Sequence, residues 1–153
     1  MRINLTLFFS FLFVYVSFAQ FTVEQALSSP FPTNLTAAPT QEKVAWVINE
    51  KGVRNIWLAT GKDWTAQAIT TFAKDDGQAI SNLIFKENTS EILFVRGGAP
   101  NRRGEIPNPT SHADGAKRFL FKISEKGGAL DTLEEGSNPV LSPNGQTLAF
   151  IKD

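Results

Sequence analysis

Cysteine is absent from all 153 residues, and histidine, methionine and tyrosine occur once each. Without cysteine there is no disulfide, no thiolate metal site and no cysteine nucleophile. A single histidine, His112, gives no ligand spacing for zinc. Net charge is absent too, since Lys+Arg 15 balance Asp+Glu 15. A neutral chain offers no electrostatic reason to expect nucleic acid or an anionic membrane surface as partner. No sustained 3.6-residue apolar period follows residue 28, which argues against bundles and doubly wound folds. What the chain does have is a hydrophobic content of 42%, with 13 Phe and 3 Trp. That suits a packed core, and stability must then come from burial alone.

The first residues read as a leader. Met1-Arg2 supplies an early positive charge, and Leu5 to Phe18 is almost continuously apolar. Ser17 and Ala19 are small and stand at −3 and −1 of a cut before Gln20. Residues 1–19 are therefore expected to be a signal peptide, and the protein to be exported, to the periplasm or beyond. The alternative is an uncleaved anchor, but the apolar run falls short of the ~20 residues that a spanning helix needs. No stable membrane span is expected after cleavage.

Residues 20–33 form an N-terminal segment. Thr22 followed by Gln25 is a capping box, which predicts a short helix from Val23 to Leu27. Pro30 and Pro32 prevent its continuation.

Short apolar strands separated by turns follow. A first unit reads Asn34–Ala37, Lys43–Ile48, Arg54–Ala59 and Ala66–Thr70, with the turn Asn49–Gly52 in its middle. A second reads Ser81–Phe85, Glu91–Val95, Arg118–Ile123 and Ala129–Leu133. A third begins with Asn138–Leu141, turns through Ser142-Pro143-Asn144-Gly145 and continues through Thr147–Ile151. The second strands align as Val44-Ala45-Trp46-Val47, Ile92-Leu93-Phe94-Val95 and Leu148-Ala149-Phe150-Ile151. Their starts lie 48 and then 56 residues apart. Four-strand repeats of this length predict an all-β chain that is a β-propeller fragment of about two and a half four-stranded blades. The blades span about 34–70, 80–133 and an incomplete 138–153. The missing return strand after Asp153 suggests a longer parent chain, with a small self-contained β domain as the alternative.

The residues also carry a family resemblance. Ser142-Pro143-Asn144-Gly145-Gln146-Thr147-Leu148-Ala149-Phe150 resembles the Ser-Pro-Asp-Gly-x-x-Ile-Ala-Phe signature of TolB-like propeller repeats. Ala38–Trp46 looks like a degraded copy. The opening Thr22–Pro32 is similar to the start of bacterial serine peptidases of the prolyl oligopeptidase (S9) family. The resemblance implies that a C-terminal α/β-hydrolase domain of the same chain, absent here, carries the catalysis. The propeller would gate access for short peptide substrates. A TolB-like periplasmic binding or scaffold propeller without enzymatic activity is the alternative.

The residues themselves supply no catalytic centre and no cofactor site. Gly-x-Ser-x-Gly does not occur; Gly136-Ser137-Asn138 begins like it, but Pro139 and a strand follow. Ser111, His112 and Asp114 crowd one loop, where triad geometry is rarely reached. Asp75-Asp76-Gly77 lacks the later ligands of a calcium loop and reads as a turn. No phosphate-binding glycine pattern occurs. The candidate contact residues are Arg96, Arg102, Arg103, Glu105 and Asn108, in the long segment from Arg96 to Lys117. Its arginines would pair with a carboxylate, on a peptide terminus or a partner domain. Asn34-Leu35-Thr36 and Asn88-Thr89-Ser90 fit the glycosylation sequon.

Overall fold

A computed structural model describes residues 21–87, 89–98 and 117–152. The leader, and Arg102, Arg103, Glu105, Asn108 and His112, lie outside the described residues. The chain is mostly β, in three antiparallel sheets that follow one another in sequence. Among the described residues no helix is long and apolar enough to cross a membrane.

Helix α1 spans Val23–Leu27 and is capped as its sequence requires. The Gln25 amide donates to Thr22 Oγ1 and the Thr22 amide donates to Gln25 Oε1, each at 3.1 Å. The first sheet holds β1 (Phe31–Ala37), β2 (Lys43–Glu50), β3 (Val53–Thr60) and β4 (Thr65–Ala68) in that order. The second holds β5 (Ile80–Lys86), β6 (Glu91–Arg96), β7 (Phe119–Ser124) and β8 (Asp131–Glu135), also in order. The third pairs β9 (Ser137–Leu141) with β10 (Leu148–Ile151).

The strand positions follow the sequence reading to within one residue, with four larger differences. Strand β2 runs on through Asn49 and Glu50, which the sequence reading placed in the turn. Strand β1 starts at Phe31 and includes Pro32, which an edge strand tolerates because it need not donate on its outer side. Strand β4 ends at Ala68, two residues early. There the Thr70 hydroxyl, rather than a backbone carbonyl, accepts from the Ile56 amide at 2.8 Å. Strand β8 begins at Asp131 instead of Ala129, after two positive-φ glycines, Gly127 and Gly128.

One irregularity recurs in all three sheets. Asn34, Asn82 and Asn138 have φ of 53°, 52° and 51°, each in the first strand of its sheet. The register jumps at each of them. Thr33 faces Val47 and Thr36 faces Ala45; Ser81 faces Val95 and Ile84 faces Leu93; Ser137 faces Ile151 and Val140 faces Ala149. This is a β-bulge with one extra residue, and asparagine tolerates its left-handed conformation better than most side chains. Each asparagine stands ten residues before the second-strand positions Val44, Ile92 and Leu148. The aromatic cross-strand pair recurs as well, as Trp46 opposite Trp57 and Phe94 opposite Phe121.

The sheets stack. Ala45, Val47, Ile56 and Leu58 of the first pack on Leu83, Phe85, Ile92, Phe94 and Ile123 of the second, forming one core. Each of the larger side chains contributes roughly 1.5–3 kcal/mol by leaving water. The opposite face of the second sheet, with Leu93, Val95 and Leu120, is buried too, and β9 lies against β5, β6 and β7. The Asn34 side chain donates to the Ile80 carbonyl at 2.8 Å, and Lys43 pairs with Glu125 at 2.6 Å, so polar ties cross the first seam at two places.

Candidate functional site

Arg96 is the last residue of β6, opposite Ile80 on one side and Phe119 on the other. The next amide, Gly97, donates to the Ala79 carbonyl at 2.9 Å. The base of the long segment is thereby fixed against the connection that joins the first two sheets. Asp75 and Asp76 in that connection form successive turns: their carboxylates accept from the amides of Gly77 and Gln78 at 3.1 and 3.0 Å.

The Arg96 side chain folds onto this connection. Its Nη2 donates to Asp76 Oδ2. Its guanidinium carbon lies 4.2 Å above the centre of the Phe72 ring, within cation–π range. Its Nε is buried and donates to nothing among the described residues. Partial burial works against the charged form of Asp76. The Gln78 amide and the Arg96 guanidinium outweigh it and hold the carboxyl below its ordinary value of 3.8.

A cavity of about 370 Å³ opens beside this pair, lined by Asp76, Gln78, Arg96, Lys117, Phe119, Phe121 and Thr132. Lys117 brings a second cation to its rim and lies 3.7 Å from Glu135. The cavity therefore combines an aromatic wall with a balanced polar edge. Among the described residues its lining offers no nucleophile beside a base, and no group of three metal-ligating side chains converges.

Of the five contact residues expected from sequence, only Arg96 is described, and it is engaged with Asp76 and Phe72 rather than extended into solvent. Sequence reasoning took Asp76 as part of a turn and passed over Phe72 and Gln78. The turn is there, but the carboxylate also serves Arg96. Ser137, the middle residue of the elbow-like triplet Gly136-Ser137-Asn138, is buried in strand β9. The Asn34 sequon is committed internally, because its amide holds Ile80.

A second polar cluster lies at the other end of the second sheet. Glu91 accepts from Lys86 and Lys122, both at 3.2 Å, and Lys122 also reaches Asp131 at 3.3 Å. Partial burial opposes ionisation of Glu91, but its two lysines win and lower its pKa. The same carboxylates raise that of Lys122.

No protein-family model matches this sequence, and no curated protein matches it.

Proposed function

We propose that the three sheets are successive blades of a β-propeller that serves an exported serine peptidase of the prolyl oligopeptidase type. The observation that carries the propeller reading is the repeat of one bulge, one register and one asparagine conformation in three consecutive sheets. A structural unit repeated at intervals of 48 and 56 residues, each packed face to face on the next, is what a propeller requires. The peptidase attribution rests on the resemblance of Thr22–Pro32 and Ser142–Phe150 to that family. On this reading the chain itself does no chemistry. It restricts entry to short peptides and docks on a hydrolase domain. A TolB-like scaffold is the second reading, favoured by the same Ser142–Phe150 turn.

The native size of the protein tests this directly. An antibody against residues 20–153 should detect a band several times larger than this chain in the cell-envelope fraction. That band should also react with a fluorophosphonate serine probe. A large band that ignores the probe would favour the scaffold; a band no larger than this chain would end the peptidase reading.

A further inference from the structure

The same turn is built twice in this chain, once around an acid and once around its amide. Asp76-Gly77-Gln78 and Asn144-Gly145-Gln146 each occur once in the sequence. In both, the first side chain's Oδ1 accepts from the glutamine amide, at 3.0 and 3.1 Å. In both, the glycine is left-handed, with φ of 68° and 67°. The acid version is settled, because the Asp76 carboxylate is paired with Arg96. An ionised carboxylate is a poor electrophile. The amide version is different.

Asn144 is the one asparagine in the sequence that precedes a glycine. The nucleophile nearest to its side-chain amide is the next backbone nitrogen, and glycine has no Cβ to shield it. Two donors converge on Asn144 Oδ1: the Gln146 amide, and the Ser142 hydroxyl at 2.6 Å. Donors aimed at an oxygen on which negative charge develops stabilise addition to its carbon. The amide nitrogen, which would leave, is held by a long bond of 3.4 Å to Gln146 Oε1. One contact opposes the reaction. The Gly145 amide donates to the Ser142 carbonyl at 2.8 Å and must release it before attacking. Asn144 is exposed, so water reaches it.

We infer that Asn144 is a site of self-modification, deamidated in the folded chain through attack by the Gly145 nitrogen. The Gly145 N to Asn144 Cγ bond forms as Gly145 loses its proton to solvent. The Cγ–Nδ2 bond breaks and ammonia leaves, giving a five-membered imide. Water then opens the imide. Opening at Cγ leaves aspartate, and opening at the main-chain carbonyl leaves isoaspartate. Aspartate suits the turn, since its carboxylate would keep both donors as stronger, charge-assisted bonds. Isoaspartate lengthens the main chain inside a hairpin closed by the Ser142 amide on the Thr147 carbonyl at 2.8 Å and the Thr147 amide on Ser142 Oγ at 2.9 Å. Aspartate is thus the product that the fold retains, and the neutral chain gains one negative charge. Every bond involved lies between residues 142 and 147, so the inference stands apart from the peptidase reading.

The test is a timed incubation of the purified full chain in mildly alkaline buffer, followed by peptide mapping with mass spectrometry. Native chain and Ser142→Ala are compared, each folded and in urea, with circular dichroism confirming that the folded samples are folded. Residue 144 should convert from amide to acid ahead of Asn34, Asn82 and Asn138, and the converted chain should bind more tightly to an anion exchanger. Ser142→Ala should slow the conversion in the folded chain and leave it unchanged in urea. Asn144→Asp should unfold at the native urea midpoint or above it. An amide that survives in the folded chain while the chain in urea converts overturns the inference. Faster conversion at another asparagine, undiminished conversion in folded Ser142→Ala, or a lowered midpoint for Asn144→Asp overturns it equally.

Discussion

The side-chain amide of Asn34 reaches the backbone carbonyl of Ile80 at 2.8 Å, so the bulge of the first sheet holds the first residue of the second. The residue carries two separable duties, a left-handed backbone and a bond across the seam. Asn34→Ala should lose both and cost about 2 kcal/mol. Asn34→Gly keeps the backbone and should cost about 1 kcal/mol. Urea unfolding midpoints distinguish them; equal losses would mean the backbone conformation is irrelevant.

Two glycines make a matched pair. A Cβ on Gly97 would stand 2.1 Å from the Lys117 carbonyl oxygen at φ 143°, whereas one on Gly61 meets nothing at φ 69°. Gly61→Ala should therefore show only the left-handed strain, about 1 kcal/mol. Gly97→Ala must also move the Lys117–Arg118 backbone that leads into β7 and should cost at least ~2 kcal/mol. Similar unfolding midpoints for the two variants would contradict the close approach.

Arg96 and Asp76 should be energetically coupled. A double-mutant cycle with Arg96→Ala and Asp76→Ala should return about 1 kcal/mol, since the pair is partly shielded but not dry. Arg96→Lys should recover only part of it, because an ammonium cannot lie flat over Phe72 as the guanidinium does. Full recovery by lysine would assign the interaction to charge alone.

The Glu91 cluster sets a pH window. Glu91 is lowered from its ordinary 4.5, so its contribution is present above that value and is lost as pH falls through the lower folded value. Lys122 is raised from 10.5, so its contribution is present below that value and is lost as pH climbs through the higher one. Stability of the native chain should slope at both ends, and Glu91→Gln should weaken both slopes, more visibly at low salt. Denaturant midpoints measured across the two limits decide it; an unchanged acid slope would remove Glu91 from the account.

Much of the strand pattern was legible because the inner strands are continuous apolar runs between turn residues, as Ile92–Val95 shows. Strand β8 was placed less well because Asp131-Thr132-Leu133-Glu134-Glu135 is a charged outer edge with no apolar alternation to mark its frame. The end of β4 was missed because a threonine hydroxyl can take a carbonyl's place in the ladder, and no propensity records that. The asparagine repeat was present in the sequence as Thr-Asn-Leu, Ser-Asn-Leu and Ser-Asn-Pro. Three polar residues in strands read as noise until their common φ is known. At the site, Arg96 stood out by type and position. Its partner Asp76 did not, because a turn explains an aspartate well enough on its own.

The bulge also separates what is measured from what is free. From each asparagine to its second strand the count is ten residues in every sheet. From the second-strand aromatic to its partner on the third strand the count is 11 for Trp46 and Trp57 but 27 for Phe94 and Phe121, yet both pairs stay in register. Lengthening that turn costs only about 0.6 kcal/mol per doubling of the loop. The turn between second and third strands is thus a natural splice point. Foreign sequence placed there should leave the molecule's phase intact, while a single residue added inside β1, between Asn34 and Ala37, would turn the side chains on one side of the insertion onto the wrong face of that strand.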